Sequence, residues 1–317
     1  MAIYAFDGTK NEQKEDLVDC TNVIRFLEHY QPEELNACLL CLSEREEYLA
    51  GVGTRMHGIG SVLGGFAGAG GRTRVREFTE MFIQNWKNGD HVVDVIGYSR
   101  GAALALHFCN KLSDGVEIDG VKVVPTIRFL GLWDTVPSFG LPGIFIDIFN
   151  DINLGWRLNV PGNVKKCVHA MALDEGRQAF QVHRPSCKKP DRTQLIESWF
   201  RGVHSDVGGG SGNTGLSSIT LHWMLEHAKN SGCDVANLES LETEFDQEKT
   251  PEKNKFSGEW ERREILDGDR IHETSARKLT VGDEEVVTEV AKVKNNLPPI
   301  LVEPGEEYLI SFPDDAK

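Results

Sequence analysis

Residues 94–106, DVIGYSRGAALAL, pass from strand-forming to helix-forming sequence across one serine. The run before it, His91 to Ile96 (HVVDVI), is apolar and β-branched, which predicts a buried strand. The run after it, Gly101 to Leu112, is rich in alanine and leucine and predicts a helix. The corner between them is Gly97-Tyr98-Ser99-Arg100-Gly101. A turn this short forces neighbouring backbone together, and the two glycines leave room for it. The serine then stands at the carboxyl end of the strand and the positive end of the helix.

Glycine makes up 32 of the 317 residues, so a Gly-x-Ser-x-Gly pentapeptide carries little weight by itself. The strand-turn-helix context gives it weight, because that is the setting of the nucleophile elbow in α/β-hydrolases. The rest of the chain agrees with such a fold. Short runs apolar on both faces (Ile3 to Phe6, 91–96, a strand within 121–133, and 195–203) alternate with helical patterns at 21–30, 74–86, 101–112 and 216–229. Residues 35–42 are a further strand candidate, and 164–173 are apolar without a clear period. This alternation predicts an α/β fold of α/β-hydrolase type: a mostly parallel central sheet with helices on both faces. After about residue 235 the composition turns polar and charge-rich. A catalytic domain over 1–235 is therefore expected, with 236–317 as an extension packed on it or inserted near it.

A serine nucleophile needs a base, and the base needs an orienting acid. In α/β-hydrolases the chain order is Ser, then Asp or Glu, then His. Asp134 closes the apolar run TIRFLGLWD, and His204 closes LIESWFRGVH. Both are expected at the sheet edge that carries Ser99, where ligands of open α/β sheets bind. Asp206 is the alternative acid, with a loop-shaping Asx role as its competing reading. His169 and His183 compete with His204 as base, and Asp94 reads as a sheet or rim residue. The oxyanion needs two backbone donors. Arg100, following the nucleophile, supplies one; the turn Asp7-Gly8-Thr9 is expected to supply the other through Gly8 or Thr9, with Asp7 fixing the turn.

The net charge of −15, without a basic stripe, excludes nucleic acid as a partner and argues against adhesion to anionic lipid through bulk charge. The seven cysteines are odd in number and irregular in spacing; Cys38 and Cys41 form a lone C-x-x-C inside an apolar run and read as buried thiols. No metal or organic cofactor is implied. The start, MAIYAFDGTKNEQ, lacks a basic and apolar leader, and no stretch is long enough to span a bilayer. Cytoplasmic synthesis is expected. Residues 51–71 hold nine glycines and read either as a closely packed surface loop or as a lid. They are no phosphate loop, because no Gly-Lys-Ser/Thr ends them. Asp174, Glu175 and Arg177 read as scaffold.

A set of blocks carries a family resemblance: FDGT (6–9), GVGT (51–54), GYSRGAA (97–103), GLWDTV (131–136), HAMALDEGRQAF (169–180) and WFRGVHSDVGGG (199–210). In this order, over about residues 1–230, they resemble the α/β-hydrolase-domain family that includes type VI secretion lipase effectors with phospholipase activity. The resemblance implies a Ser-Asp-His triad on Ser99, Asp134 and His204. It also implies a serine esterase acting on lipid-like esters. A secretion machine or an immunity protein becomes a conceivable partner, and export without a signal peptide a conceivable route. A binding or regulatory protein on a hydrolase scaffold, and amide or thioester hydrolysis by the same residues, stay open as alternatives.

Overall fold

The computed structural model describes residues 2–8, 20–30, 69–137, 155–177, 180–211, 214–236, 238–242, 263–266, 268–272, 276–281, 284–290 and 307–309. Thr9, the strand candidate at 35–42 with Cys38 and Cys41, and 51–68 of the glycine-rich stretch lie outside them.

The first half runs β1 (Ala2–Phe6), α1 (Asn22–His29), α2 (Ala69–Lys87), β2 (Val93–Tyr98), α3 (Arg100–Ser113), a small hairpin of β3 (Val116–Ile118) and β4 (Val121–Val123), then β5 (Ile127–Trp133). The second half runs β6 (Val164–Ala172), β7 (Gln194–Phe200), α4 (His204–Gly208), α5 (Thr214–Lys229), α6 (Leu238–Glu242), β8 (Arg270–His272), β9 (Ala276–Val281), β10 (Glu284–Val290) and β11 (Glu307–Leu309). Among the described residues, seven strands form the central sheet in the order β1-β2-β5-β6-β7-β8-β11. β1, β2, β5, β6, β7 and β8 pair in parallel, and only β11 is antiparallel to its neighbour. The α/β architecture read from the alternating pattern is thus present, and the ambiguous run at 164–173 is its strand β6.

The strands are apolar on both faces because each face is covered. Along β1, Tyr4 and Phe6 enter one core with Phe78 and Phe82 of α2 and Leu104 and Phe108 of α3. Ile3 and Ala5 enter the opposite core with Phe26 of α1 and Met224 and Leu225 of α5. This period-two division is what a parallel sheet between two helical layers demands. Because all these strands point the same way, their carboxyl ends share one edge. Ser99, Asp134 and the β7–α4 turn all follow carboxyl ends on that edge.

The segment beyond 235 is tied into this sheet. β8 pairs through Arg270 and Ile271 with Ser198 and Trp199 of β7, and β11 continues the sheet outward. Ile265 and Ile271 are buried, and Asp269 accepts a hydrogen bond from Trp199 Nε1 at 2.9 Å.

Candidate active site

β2 ends at Tyr98 and α3 begins at Arg100, so Ser99 alone makes the turn. It does so at φ 59° and ψ −127°, in a region that costs a side-chain-bearing residue about 1–3 kcal/mol. The neighbours hold it there. Ser99 N–H donates to the Trp133 carbonyl at 2.9 Å, and the Ser99 carbonyl accepts from Ala102, Ala103 and Val136 N–H. A Cβ on Gly97 would come within 2.7 Å of Ala102 Cα. One on Gly101 would collide with the Phe6 carbonyl oxygen. Both glycines of the pentapeptide are therefore required by the approach of β1, β2 and α3.

Asp134 follows β5 directly, at φ 41°. Its N–H donates to the Ala170 carbonyl at 2.8 Å, and Oδ1 accepts from the Ala172 N–H at 2.9 Å, so β6 holds it at both ends. His204 lies four residues past the end of β7 and opens the short helix α4, rather than ending the strand. Its N–H donates to Glu175 Oε2 at 3.2 Å, and its carbonyl accepts from the Tyr98 hydroxyl at 3.1 Å. The imidazole sits between the Tyr98 ring, 4.7 Å away, and the edge-on Phe180 ring, 4.9 Å away.

These elements bring three side chains into a chain of hydrogen bonds. His204 Nε2 is 2.8 Å from Ser99 Oγ, and His204 Nδ1 is 2.5 Å from Asp134 Oδ2. All three are buried, with relative exposures of 6% for Ser99, 0% for Asp134 and 5% for His204. Burial works to raise the Asp134 pKa, but the Arg263 guanidinium and the bond from His204 outweigh it and hold the carboxyl well below its usual range. Asp134 is therefore an acceptor only, so His204 Nδ1 carries the proton between them and Nε2 is left to accept from the Ser99 hydroxyl. Burial lowers the His204 pKa and Asp134 partly restores it, leaving the imidazole neutral at neutral pH. A neutral imidazole bonded to a serine hydroxyl can take its proton; the carboxylate can then stabilise the imidazolium.

The other sequence candidates lie apart from this chain. Asp206 accepts from the Val203 N–H at 3.0 Å and fixes the start of α4, the loop-shaping role weighed for it. His169 lies inside β6, accepting from the Thr135 N–H at 3.2 Å and facing Glu197 at 3.1 Å. His183 Nε2 contacts the Leu158 carbonyl. Asp94 is buried under Tyr30 and Arg128. Asp7 lies in the turn after β1, and its Oδ2 accepts from the Thr21 hydroxyl at 2.8 Å. Gly8, expected as a donor to the oxyanion, donates its N–H to Asp7 Oδ1 at 2.6 Å within its own turn.

Two residues of the site were not singled out for it in the sequence. Glu175, read as scaffold, holds the His204 backbone and is itself held by Arg177. Arg263 pairs with both oxygens of Asp134. The HAMALDEGRQAF block offered a cue for the first, whereas nothing local marks the second. The five described cysteines are free thiols. Among the described residues, no cluster of three or more His, Cys, Asp or Glu side chains could hold a metal, and no helix is long and apolar enough to cross a membrane.

Comparison with known proteins adds to this geometry. A family model described as "T6SS, Phospholipase effector Tle1-like, catalytic domain" matches residues 2–116 and 110–227. Among solved structures, an uncharacterized protein from Pseudomonas aeruginosa is 23% identical over 77% of this chain and 48% of its own, with a TM-score of 0.52. A Tle1 effector bound to the VgrG spike of the type 6 secretion system is 24% identical over 65% of this chain and 50% of its own, with a TM-score of 0.43. The chain spans about half the length of these solved chains. No curated protein matches. The family match runs through the elbow, Asp134 and the His204 turn, and the chain belongs to the Tle1-like family of type VI secretion phospholipase effector catalytic domains, a family of lipase-like hydrolases.

Proposed function

We propose that this chain is a serine hydrolase that cleaves carboxylic esters of lipid-like substrates, with Ser99 as nucleophile, His204 as general base and acid, and Asp134 as the orienting acid. The observation that carries the reading is the buried chain of bonds from Ser99 Oγ through His204 to Asp134, with Ser99 held at a strained strand-to-helix corner. His204 Nε2 takes the hydroxyl proton as Ser99 Oγ attacks the ester carbonyl. The tetrahedral intermediate collapses, and His204 returns the proton to the leaving alcohol. Water, deprotonated by His204, then attacks the acyl-enzyme and releases the acid and free Ser99.

The Arg100 N–H, in the first turn of α3, is well placed in the chain to donate to the oxyanion. The second donor is assigned to the turn after β1, where Gly8 would exchange its bond to Asp7 for the oxyanion, or Thr9 would donate. A phospholipid is favoured by the family and by Arg100 itself. Its guanidinium is half-buried one residue from Ser99, and it has no hydrogen bond or ion pair with the described residues. Burial pushes its pKa down to about 10, which leaves it charged at neutral pH and suited to a lipid phosphate.

Residues 1–235 are assigned as the hydrolase core and 236–317 as an extension built onto it. Delivery by a type VI secretion machine, and a secretion or immunity partner, are further parts of the proposal that rest on the family description. The test is hydrolysis of p-nitrophenyl esters from acetate to palmitate, then of phospholipid vesicles, with Ser99→Ala as control. Serine-dependent turnover that rises with chain length supports the reading. Turnover unchanged by Ser99→Ala would sink it. Absence of both turnover and fluorophosphonate labelling would favour a binding protein on this scaffold.

A further inference from the structure

The acid that orients His204 is gripped by a residue beyond the family match, which ends at residue 227. Arg263 is buried, and its Nη1 donates to Asp134 Oδ1 at 2.5 Å and to the Ala172 carbonyl at 2.7 Å. Its Nη2 donates to Asp134 Oδ2 at 2.9 Å and to the Phe180 carbonyl at 2.6 Å. Guanidinium and carboxylate thus meet as two parallel forks, the geometry in which arginine exceeds lysine. With the Ala172 N–H on Oδ1 and His204 Nδ1 on Oδ2, the Asp134 carboxylate accepts four hydrogen bonds. An ionised carboxylate offers about four acceptor positions, so this one has no second rotamer of equal energy.

The backbone that carries Arg263 is anchored as firmly. Ile265 is buried two residues on. Asp269 Oδ2 accepts from Leu266 N–H, Trp199 Nε1 and Arg184 Nη1 at 2.8–3.0 Å. β8 then pairs with β7, the strand that leads to His204. The 263–272 segment therefore spans the acid and the base of the site, bonded to one and paired beside the other.

We propose that Arg263 is a positioning residue: by clamping both oxygens of Asp134 it presents Oδ2 to His204, and it makes docking of the 263–272 segment a condition for an assembled site. The proposal rests on the reading of Ser99, His204 and Asp134 as a hydrolytic triad. It has an electrostatic consequence. The groups that face His204 are Asp134, Arg263, Glu175 with its partner Arg177, and the hydroxyls of Ser99 and Tyr98. Of these, Arg263 is the nearby cation that opposes a second positive charge on the imidazole. It supports a base that stays neutral in mildly acidic solution.

The experiment is the rate of Ser99 labelling by a fluorophosphonate across pH, on the full chain, for wild type, Ser99→Ala, Arg263→Lys and Arg263→Gln. The wild type is expected to label with a midpoint below pH 6.5. Both Arg263 variants are expected to label about 100-fold more slowly, the scale of a misplaced catalytic group. Arg263→Gln, which loses the charge, also moves its midpoint to higher pH; Arg263→Lys, which keeps it, stays near the wild type. Wild-type rates and midpoints in both variants would overturn the proposal. So would a uniform loss in Arg263→Gln with an unmoved midpoint, because that is the mark of scaffolding alone. If circular dichroism shows that neither variant folds, Asp269→Asn decides, because it loosens the 263–272 segment without touching the triad: slower labelling is expected, and a wild-type rate overturns the proposal. Labelling that survives Ser99→Ala refutes the triad reading instead, so the two failures are distinguishable.

Discussion

A Cβ on Gly101 would stand 2.5 Å from the carbonyl oxygen of Asp7, inside any real contact distance. The first turn of α3 therefore rests directly on the end of β1. Neither backbone can withdraw, since β1 is paired with β2 along its whole length and β2 leads into the turn. Gly101→Ala is expected to destabilise the fold by about 3 kcal/mol, the upper range for overpacking, and to abolish Ser99 labelling. Urea unfolding followed by tryptophan fluorescence checks the first effect, and probe labelling the second.

Ser99→Ala should lower turnover by about 10⁶-fold, as loss of a triad nucleophile does, while leaving the unfolding midpoint nearly unchanged or raised. A raised midpoint would follow from removing a hydroxyl buried for catalysis, since alanine keeps the Cβ and the backbone strain. Steady-state ester hydrolysis and thermal unfolding of the same preparation read both numbers.

The His204 base works only while neutral. Burial lowers its pKa, with Asp134 acting in the opposite direction. The value of kcat/KM should therefore hold as pH falls to 6.5 and decline only below that, through the free-enzyme pKa of His204. The same shift has a stability counterpart. A histidine depressed in the folded state takes up protons more readily when unfolded, so its contribution is complete above pH 6.5 and is lost as pH falls through the folded value. A rate profile whose acid limb begins above 6.5 would contradict this.

Asp134→Asn is expected to cost both catalysis and stability. An amide in place of the carboxylate no longer enforces the Nδ1–H tautomer, and a loss of about 10⁴-fold in kcat is the scale for that defect. It also leaves Arg263 buried without its counter-charge, for which breaking a buried pair suggests about 3–5 kcal/mol. Ester kinetics and denaturant unfolding measure the two losses separately.

Arg100→Gln separates the phosphate reading from the oxyanion reading. The backbone N–H is retained, so turnover of a neutral p-nitrophenyl ester should change little. Turnover of phospholipid should fall by about 10-fold or more, the scale of one charge-assisted bond. Equal effects on both substrates would remove the guanidinium from substrate recognition.

Much of this architecture was legible along the chain because its signals are local. The strand before Ser99, the helix after it and the two glycines lie within one short stretch, and sterics alone dictate the turn they make. Asp134 and His204 could be placed at the same edge because parallel strands share a carboxyl end. Boundaries were less legible. β7 stops at Phe200, and His204 instead opens α4, because Asp206 caps the Val203 N–H and starts a helix that strand propensity alone does not foresee. Nor was the bond from the Gly8 N–H to the adjacent Asp7 carboxylate legible in the turn.

By itself the sequence determined the class of fold, the strained corner at Ser99 and the order of the residues that meet there, since each depends on neighbours a few positions away. Only the tertiary structure decided how they are held. Glu175 reaches the His204 N–H across 29 residues, and Arg263 reaches Asp134 across 129. No periodicity or motif encodes a contact at such separation. An arginine in a polar, charge-rich stretch looks like a solvated surface residue until β8 pairs with β7 and carries it under the sheet edge. There burial makes a paired carboxylate its required partner.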